Sequence, residues 1–211
     1  MKKLLRLICI ITSTAFIYAQ KADAKSTQIL DAVAKKYNAN KNTFFKFSYG
    51  SGQKGKITKT ETGTFYTTPT QHRLKIMGIE QIFDGNKVYN ISSEDQEVTI
   101  AKANGSEMMF SPTNYLNSYK KEYNTTYAGK KTIEGKSTEQ IKLTPIKSNG
   151  IKEVNIYIDT KQNQILRIDQ TSTDNSFARI SIQEYKANQN LSADTFTFKK
   201  ANYKNYIITE L

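Results

Sequence analysis

The chain has 211 residues, of which 31 are Lys or Arg and 19 are Asp or Glu, and its formal net charge is +12. The basic residues are scattered and form no block of five or six like charges, which argues against a nucleic-acid-binding arm and favours a solvated basic surface. A single cysteine excludes an intramolecular disulfide framework.

The first nineteen residues have the pattern of a cleavable export signal. Three basic residues among the first six precede an apolar run from Leu7 to Tyr18. This run is too short to remain as a membrane helix, which needs roughly 20 apolar residues. Cleavage is predicted after Ala19, with cleavage after Ala24 as the alternative. Either cut removes Cys9 and the three charges, leaves a net charge of about +9, and places a soluble mature chain outside the cytoplasm.

A helix is predicted at the start of the mature chain, with Ser26 or Thr27 as its cap. Apolar residues recur on one face at helical spacing, and they are Ile29, Leu30, Val33, Ala34 and Tyr37. From Thr43 the period changes to two, because aromatic residues then alternate with polar ones up to Tyr49. That alternation predicts a half-buried strand.

Short alternating runs separated by turn residues make up most of the remaining chain. The predicted strands are Thr62–Thr67, His72–Met77, Glu80–Phe83, Lys87–Ile91, Glu97–Lys102, Glu122–Tyr127, Glu139–Pro145, Lys152–Asp159, Gln164–Gln170, Ala178–Glu184 and Thr195–Phe198. Repeated strands joined by tight turns predict one antiparallel sheet or barrel. No linker or repeat divides the chain, so a single domain is predicted over residues 25–211.

The strand pattern is interrupted over residues 103–121, where a short amphipathic helix is predicted. Ser111 is a favourable N-cap, and Pro112 suits the first helical position. Leu116 and Tyr119 then share one face, and Met108 and Phe110 precede the helix. The helix either covers the open face of a curved sheet or closes one end of a solid core. The preceding Met108 fits both, because methionine side chains occur at adaptable apolar binding surfaces and also fill irregular gaps in cores.

No catalytic constellation can be assembled from the residues. His72 is the only histidine, the mature chain has no cysteine nucleophile, and no Gly-x-Ser-x-Gly or phosphate-binding glycine motif occurs. We therefore predict a binding protein with no catalytic residue, no metal and no cofactor. A hydrolase that uses two carboxylates is the competing class, but no acidic pair stands out.

Several ordered motifs resemble the LolA-type family of periplasmic lipoprotein carriers. They are Gly63-Thr64-Phe65-Tyr66 before Pro69, Arg73-Leu74-Lys75-Ile76, Phe83-Asp84-Gly85-Asn86-Lys87-Val88-Tyr89, Leu143-Thr144-Pro145 before Ser148-Asn149-Gly150, and Asp194-Thr195-Phe196-Thr197-Phe198. Each motif is short, but together they run in the family's order through nearly all of residues 25–200.

The resemblance implies a mainly β fold, an unclosed antiparallel half-barrel whose apolar concave face is covered by short helices. It also implies a periplasmic carrier for acylated lipoproteins, which acts as a monomer and binds no nucleic acid. The implied partners are an inner-membrane lipoprotein-releasing transporter and an outer-membrane acceptor. The alternative is a protein of the same shape that binds another lipid or senses mislocalised lipoproteins.

The residues predicted to line an acyl-binding cavity are Phe65, Leu74, Ile76, Ile82, Tyr89, Ile91, Met108, Phe110 and Leu116. Because periodicity does not distinguish a hollow barrel from a filled one, each of them is also a candidate for the solid core. The sequence departs from the family at Thr68, where an arginine before the proline often helps to hold the lid closed. Closure of the lid by that arginine is therefore not expected in this chain.

Overall fold

The computed structural model describes residues 23–103 and 113–211, so the predicted export signal, Met108, Phe110 and the predicted Ser111-Pro112 helix start lie outside the described residues. Two α-helices and twelve strands form within these ranges. In chain order they are α1 Ala24–Asn38, β1 Thr43–Gln53, β2 Lys56–Thr67, β3 His72–Ile76, β4 Ile79–Phe83, β5 Lys87–Ser92, β6 Glu97–Lys102, α2 Asn114–Glu122, β7 Tyr123–Ile133, β8 Lys136–Pro145, β9 Ile151–Asp159, β10 Gln164–Ser172, β11 Ser176–Ala187 and β12 Ile207–Glu210.

The strands form one sheet in the order β12-β6-β5-β4-β3-β2-β1-β11-β10-β9-β8-β7. All neighbouring strands are antiparallel except β12, which runs parallel to β6. The outermost strands β12 and β7 do not pair with each other, so the sheet is not closed. This confirms the predicted mainly β, unclosed antiparallel architecture.

Helix α1 begins earlier than predicted, because its N-cap is Asp23 and not Ser26 or Thr27. The Asp23 carboxylate accepts a hydrogen bond from the Lys25 amide at 3.1 Å and a second from the Tyr127 amide at 2.8 Å. Ser26 is instead fully buried and its hydroxyl lies 2.7 Å from that of Thr125. Asp23 therefore starts the helix and fixes it to the edge strand β7.

The amphipathic helix predicted near Leu116 is confirmed as α2, whose buried residues are Leu116 and Tyr119. Thr113 is its N-cap. None of the helices in the described ranges is long and apolar enough to cross a membrane.

The two faces of the sheet have different coverings, and we name them accordingly. On the helix face, residues such as Phe45, Phe65, Leu74 and Ile156 pack with α1 and α2 in the main core. On the outer face, Ile82 and other residues of β4–β6 pack under the C-terminal segment, residues 197–211. Successive side chains of a strand point to opposite faces, which separates the two clusters.

The C-terminal part differs from the prediction in two places. The predicted strand Thr195–Phe198 is wrong, because residues Ala193–Phe196 form a 3-10 helix. The Ser192 hydroxyl accepts a hydrogen bond from the Asp194 amide at 3.3 Å and so favours this turn over an extended chain. Strand β12 was not predicted, since its four residues become a strand only through pairing with β6.

Candidate functional site

The main apolar surface of the molecule is the helix face of the central strands. Phe45, Phe65 and Leu74 occupy paired positions on β1, β2 and β3 and are at most 3% exposed. Tyr37 of α1 covers this group, with its ring centroid 5.8 Å from that of Phe45. Its hydroxyl accepts a hydrogen bond from the Ile165 amide at 3.1 Å, and burial raises the pKa of Tyr37 well above its usual range.

The structure divides the residues predicted to line the cavity between the two faces. Phe65, Leu74, Ile76 and Leu116 lie in or against the helix-face core. Ile82, Tyr89 and Ile91 belong instead to the outer-face cluster. The alternation explains the division, because Leu74 pairs with Gln81 whereas Ile82 pairs with Arg73. These seven residues therefore do not form one continuous lining.

Helix α2 is held over the helix face by polar contacts with α1 and β10. Tyr119 donates a hydrogen bond to Asp31 at 2.7 Å, and Lys120 lies 2.6 Å from the same carboxylate oxygen. Tyr115 donates a hydrogen bond to Gln170 at 2.5 Å. The hydrogen bond from Lys120, followed by that from Tyr119, lowers the pKa of the Asp31 carboxyl. Burial raises the pKa of both tyrosines.

A cavity of about 320 Å³ opens where the C-terminal end of α1 meets the start of α2 and the β2–β3 turn. Tyr37, Thr68, Pro69, Thr113 and Asn117 are among its lining residues. It leads from solvent to Tyr37, which covers the apolar centre of the helix face.

Thr68 lines this opening, but its hydroxyl is engaged within its own turn. The hydroxyl accepts hydrogen bonds from the Gln71 amide at 2.9 Å and from the Thr70 amide at 3.3 Å. The side chain therefore stabilises the β2–β3 connection.

A hydrogen-bonded chain of polar side chains continues along the helix face beyond Leu74. His72 Nε2 lies 3.1 Å from Gln81 Oε1, and Gln81 Nε2 donates to Asn90 Oδ1 at 2.8 Å. His72 and Gln81 are buried, whereas Asn90 is exposed. In the sequence, His72 stands out only as a solitary histidine. Nothing local in the sequence indicates that these three side chains are joined by hydrogen bonds, because they come from three different strands.

The outer-face cluster is closed by aromatic residues of the C-terminal segment. The Phe198 ring stacks between those of Tyr89 and Tyr203, at centroid distances of 4.7 and 5.2 Å. The Tyr89 hydroxyl donates a hydrogen bond to Asp84 at 2.9 Å. Burial and this carboxylate raise the pKa of Tyr89 to about 12. Tyr89, predicted as a cavity residue, thus packs under the C-terminal segment.

Ionisable groups in the described ranges form no metal-ligand cluster of three or more His, Cys, Asp or Glu side chains. The buried carboxylate of Asp169 lies on the outer face, where Arg179 binds it at 2.7 and 2.8 Å. Both oxygens of this carboxylate are thus engaged by the Arg179 guanidinium. The helix face, with its apolar centre and its polar chain, is the candidate binding site.

The sequence profile of a known family, described as outer membrane lipoprotein carrier protein LolA, matches residues 45–199. This range covers nearly three quarters of the 211 residues and runs from the third residue of β1 to beyond β11. No curated protein sequence matches the chain.

Among solved structures, an uncharacterised conserved protein from Thermus thermophilus is 14% identical with a TM-score of 0.62, over 89% of this chain and 99% of that one. It has the same fold. A putative outer membrane lipoprotein-sorting protein domain from Vibrio parahaemolyticus is 8% identical with a TM-score of 0.45, over 86% and 99% of the two chains. LprF from Mycobacterium bovis is 11% identical with a TM-score of 0.49, over 81% and 96%. At TM-scores below 0.5, these two likenesses add nothing to the assignment.

Proposed function

The chain belongs to the LolA family of outer membrane lipoprotein carrier proteins, and we propose that it is a periplasmic carrier that binds the acyl chains of lipoproteins on its helix face. The observation that carries this proposal is the buried apolar group of Phe45, Phe65 and Leu74, which lies under helices next to an opening. The predicted export signal agrees with a periplasmic location.

The energetics of acyl chains explain why such a carrier is needed. Each buried CH₂ group contributes about 0.8 kcal/mol, so a lipoprotein with several acyl chains leaves a membrane for water extremely slowly. A carrier between an inner-membrane releasing transporter and an outer-membrane acceptor must replace the membrane as the apolar surroundings of these chains. Because the periplasm has no ATP, differences in affinity between successive partners would drive the transfer.

The apolar group is covered in this structure, so binding requires a helix to move. Helix α1 is fixed at both ends, by Asp23 to β7 and by Tyr37 to the Ile165 amide. Helix α2 is held by polar contacts through Tyr115 and Tyr119, which water can replace. We therefore assign α2 as the element that moves aside when an acyl chain enters.

A second function is favoured by one observation, the use of the Thr68 hydroxyl within its own turn. We therefore assign the Thr68 side chain to the turn and not to closure of a lid. A family member with different closure can hold a different cargo, so the second candidate is a protein that binds another lipid or senses mislocalised lipoproteins. Cells that lack the protein distinguish the two functions. Loss of the carrier should leave lipoproteins in the inner membrane, whereas loss of a protein with the second function should not.

Native mass spectrometry of the protein purified gently from its own cells tests the proposal. A bound acylated lipoprotein is the expected result, and a bound free lipid would favour the second candidate. The apo protein would then be mixed with a synthetic acylated peptide. If it bound neither cellular lipid nor the added peptide, both lipid-binding functions would be rejected.

A further inference from the structure

One row of side chains across the helix face changes from apolar to polar. Cross-strand pairing aligns Phe45 with Phe65, Phe65 with Leu74, Leu74 with Gln81, Gln81 with Asn90, and Asn90 with Thr99. Neighbouring strands lie about 4.8 Å apart, so the apolar and polar parts of this row are each roughly 10 Å long. The row therefore changes from apolar to polar in the same order as a lipid does from its acyl chain to its polar linkage.

One row in the other half of the sheet has no such change. There Ile141 pairs with Ile156, Ile156 with Ile168, and Ile168 with Ile180. All four are at most 4% exposed. A core needs only apolar residues of this kind, whereas a buried amide such as Gln81 costs free energy unless it is hydrogen-bonded. The polar side chains of the β3–β5 half are thus not explained by packing alone.

The geometry of the polar chain directs a donor towards solvent. Gln81 Nε2 donates to Asn90 Oδ1, so Gln81 Oε1 is the acceptor for His72 Nε2. With its oxygen engaged, Asn90 presents its Nδ2 donors at the exposed end of the chain. No acceptor for these donors occurs among the residues 23–103 and 113–211. The two buried side chains thus orient an amide group that faces outward beside the apolar surface.

We propose that Gln81 and Asn90 form a subsite for the carbonyl group that links an acyl chain to its carrier molecule. The inference rests on the proposed function and deepens it. Ester and amide carbonyls are acceptors only, so they match the Asn90 Nδ2 donors and could not bind to a second acceptor. The acyl chain itself would extend from Leu74 towards Phe65 and Phe45 once α2 has moved. His72 is a positioning residue that holds the Gln81 amide.

A pair of lipids that differ only in the carbonyl tests the subsite. The probes are a peptide carrying a dipalmitoyl glyceryl ester and the same peptide carrying the dihexadecyl glyceryl ether. One net hydrogen bond corresponds to about a five-fold difference in affinity, so we expect the wild-type chain to bind the ester about five-fold more tightly. Asn90→Leu and Asn90→Asp both remove the donor, and both should bind the two probes equally.

The outer face supplies a matched control. Gln140 Nε2 donates to Asn155 Oδ1 at 2.8 Å, the same distance as in the pair of Gln81 and Asn90. Asn155→Leu should therefore disturb a similar pair and leave the five-fold preference intact. Equal binding of both probes by the wild type, or an unchanged preference in both Asn90 variants, would overturn the subsite while leaving the carrier function. Failure of the wild type to bind either probe would overturn both.

Discussion

Tyr119 donates a hydrogen bond to Asp31 over 2.7 Å and thereby joins α2 to α1 on the helix face. The same carboxylate also forms a salt bridge with Lys120, so one acidic side chain holds two successive residues of α2. Because the apolar group formed by Phe45, Phe65 and Leu74 lies under these helices, this attachment would control access to it.

Replacing Asp31 with Ala should loosen α2 and accelerate acyl binding. The carboxylate is about half exposed, so the loss in unfolding free energy should be small, about 0.5–1 kcal/mol. Stopped-flow fluorescence with an acyl-chain probe would measure the uptake rate, and amide hydrogen exchange would report on α2. Lys120→Met, which leaves the hydrogen bond from Tyr119, should have the weaker effect. An unchanged rate in Asp31→Ala would mean that α2 does not limit entry.

The same carboxylate predicts a pH dependence. Its pKa in the folded protein lies below the ordinary value of 3.8, because Lys120 and Tyr119 stabilise the charged form. Its contribution to stability is therefore fully present above pH 3.8 and is lost as the pH falls below that value. The wild-type chain and Asp31→Asn should converge in urea-unfolding free energy over this acidic range. A difference in unfolding free energy that stays constant over this range would contradict a lowered pKa of Asp31 in the folded protein.

Leu74→Ala and Ile82→Ala should have similar effects on stability and different effects on binding. Both side chains are at most 3% exposed, and each substitution should cost about 2–5 kcal/mol. They lie on opposite faces of neighbouring strands, so only Leu74→Ala should weaken acyl binding. Titration of each folded variant with a palmitoylated peptide would show the difference. Equal weakening by both would mean that the predicted lining spans the two faces after all.

Thr68→Ala should lower the unfolding free energy by about 0.5–1.5 kcal/mol, because the amides of Thr70 and Gln71 lose their acceptor. The rate of acyl uptake should not change. Thr70→Ala is the matched control, since only the backbone of Thr70 takes part in these bonds. Thermal unfolding and the same stopped-flow measurement would distinguish a role in the turn from a role in closure. Faster or slower uptake in Thr68→Ala, but not in Thr70→Ala, would indicate a role of Thr68 in closure.

Phe198→Ala should destabilise the protein by about 1–3 kcal/mol without affecting acyl binding. The substitution removes the ring between Tyr89 and Tyr203 and exposes the outer-face cluster. Ile207→Ala, at a side chain that is 65% exposed, should change stability by less than about 0.5 kcal/mol. Urea unfolding would compare the two. A loss of acyl binding in Phe198→Ala would indicate that the ligand binds on the outer face, or that the outer face controls its binding.

The periodic parts of the chain were predictable because their determinants are local. The spacing of Leu30, Val33 and Tyr37 indicated α1, and all three are buried in the structure. Alternating residues indicated the strands from β1 to β11 and one antiparallel sheet or barrel, and the family resemblance implied that the sheet is unclosed. The site was less predictable. Ile82 and Leu74 have the same local pattern of an apolar residue in a short strand, but they lie on opposite faces.

The sequence by itself determined most of the secondary structure, the fold class and the family resemblance, because each depends on residues close together in the chain or on their order. The tertiary structure alone decided which apolar residues share a face, that β12 pairs with β6, and that His72, Gln81 and Asn90 are joined by hydrogen bonds. Periodicity shows that a strand has two sides. What covers each side depends on contacts between residues far apart in the sequence, such as Phe198 on Tyr89.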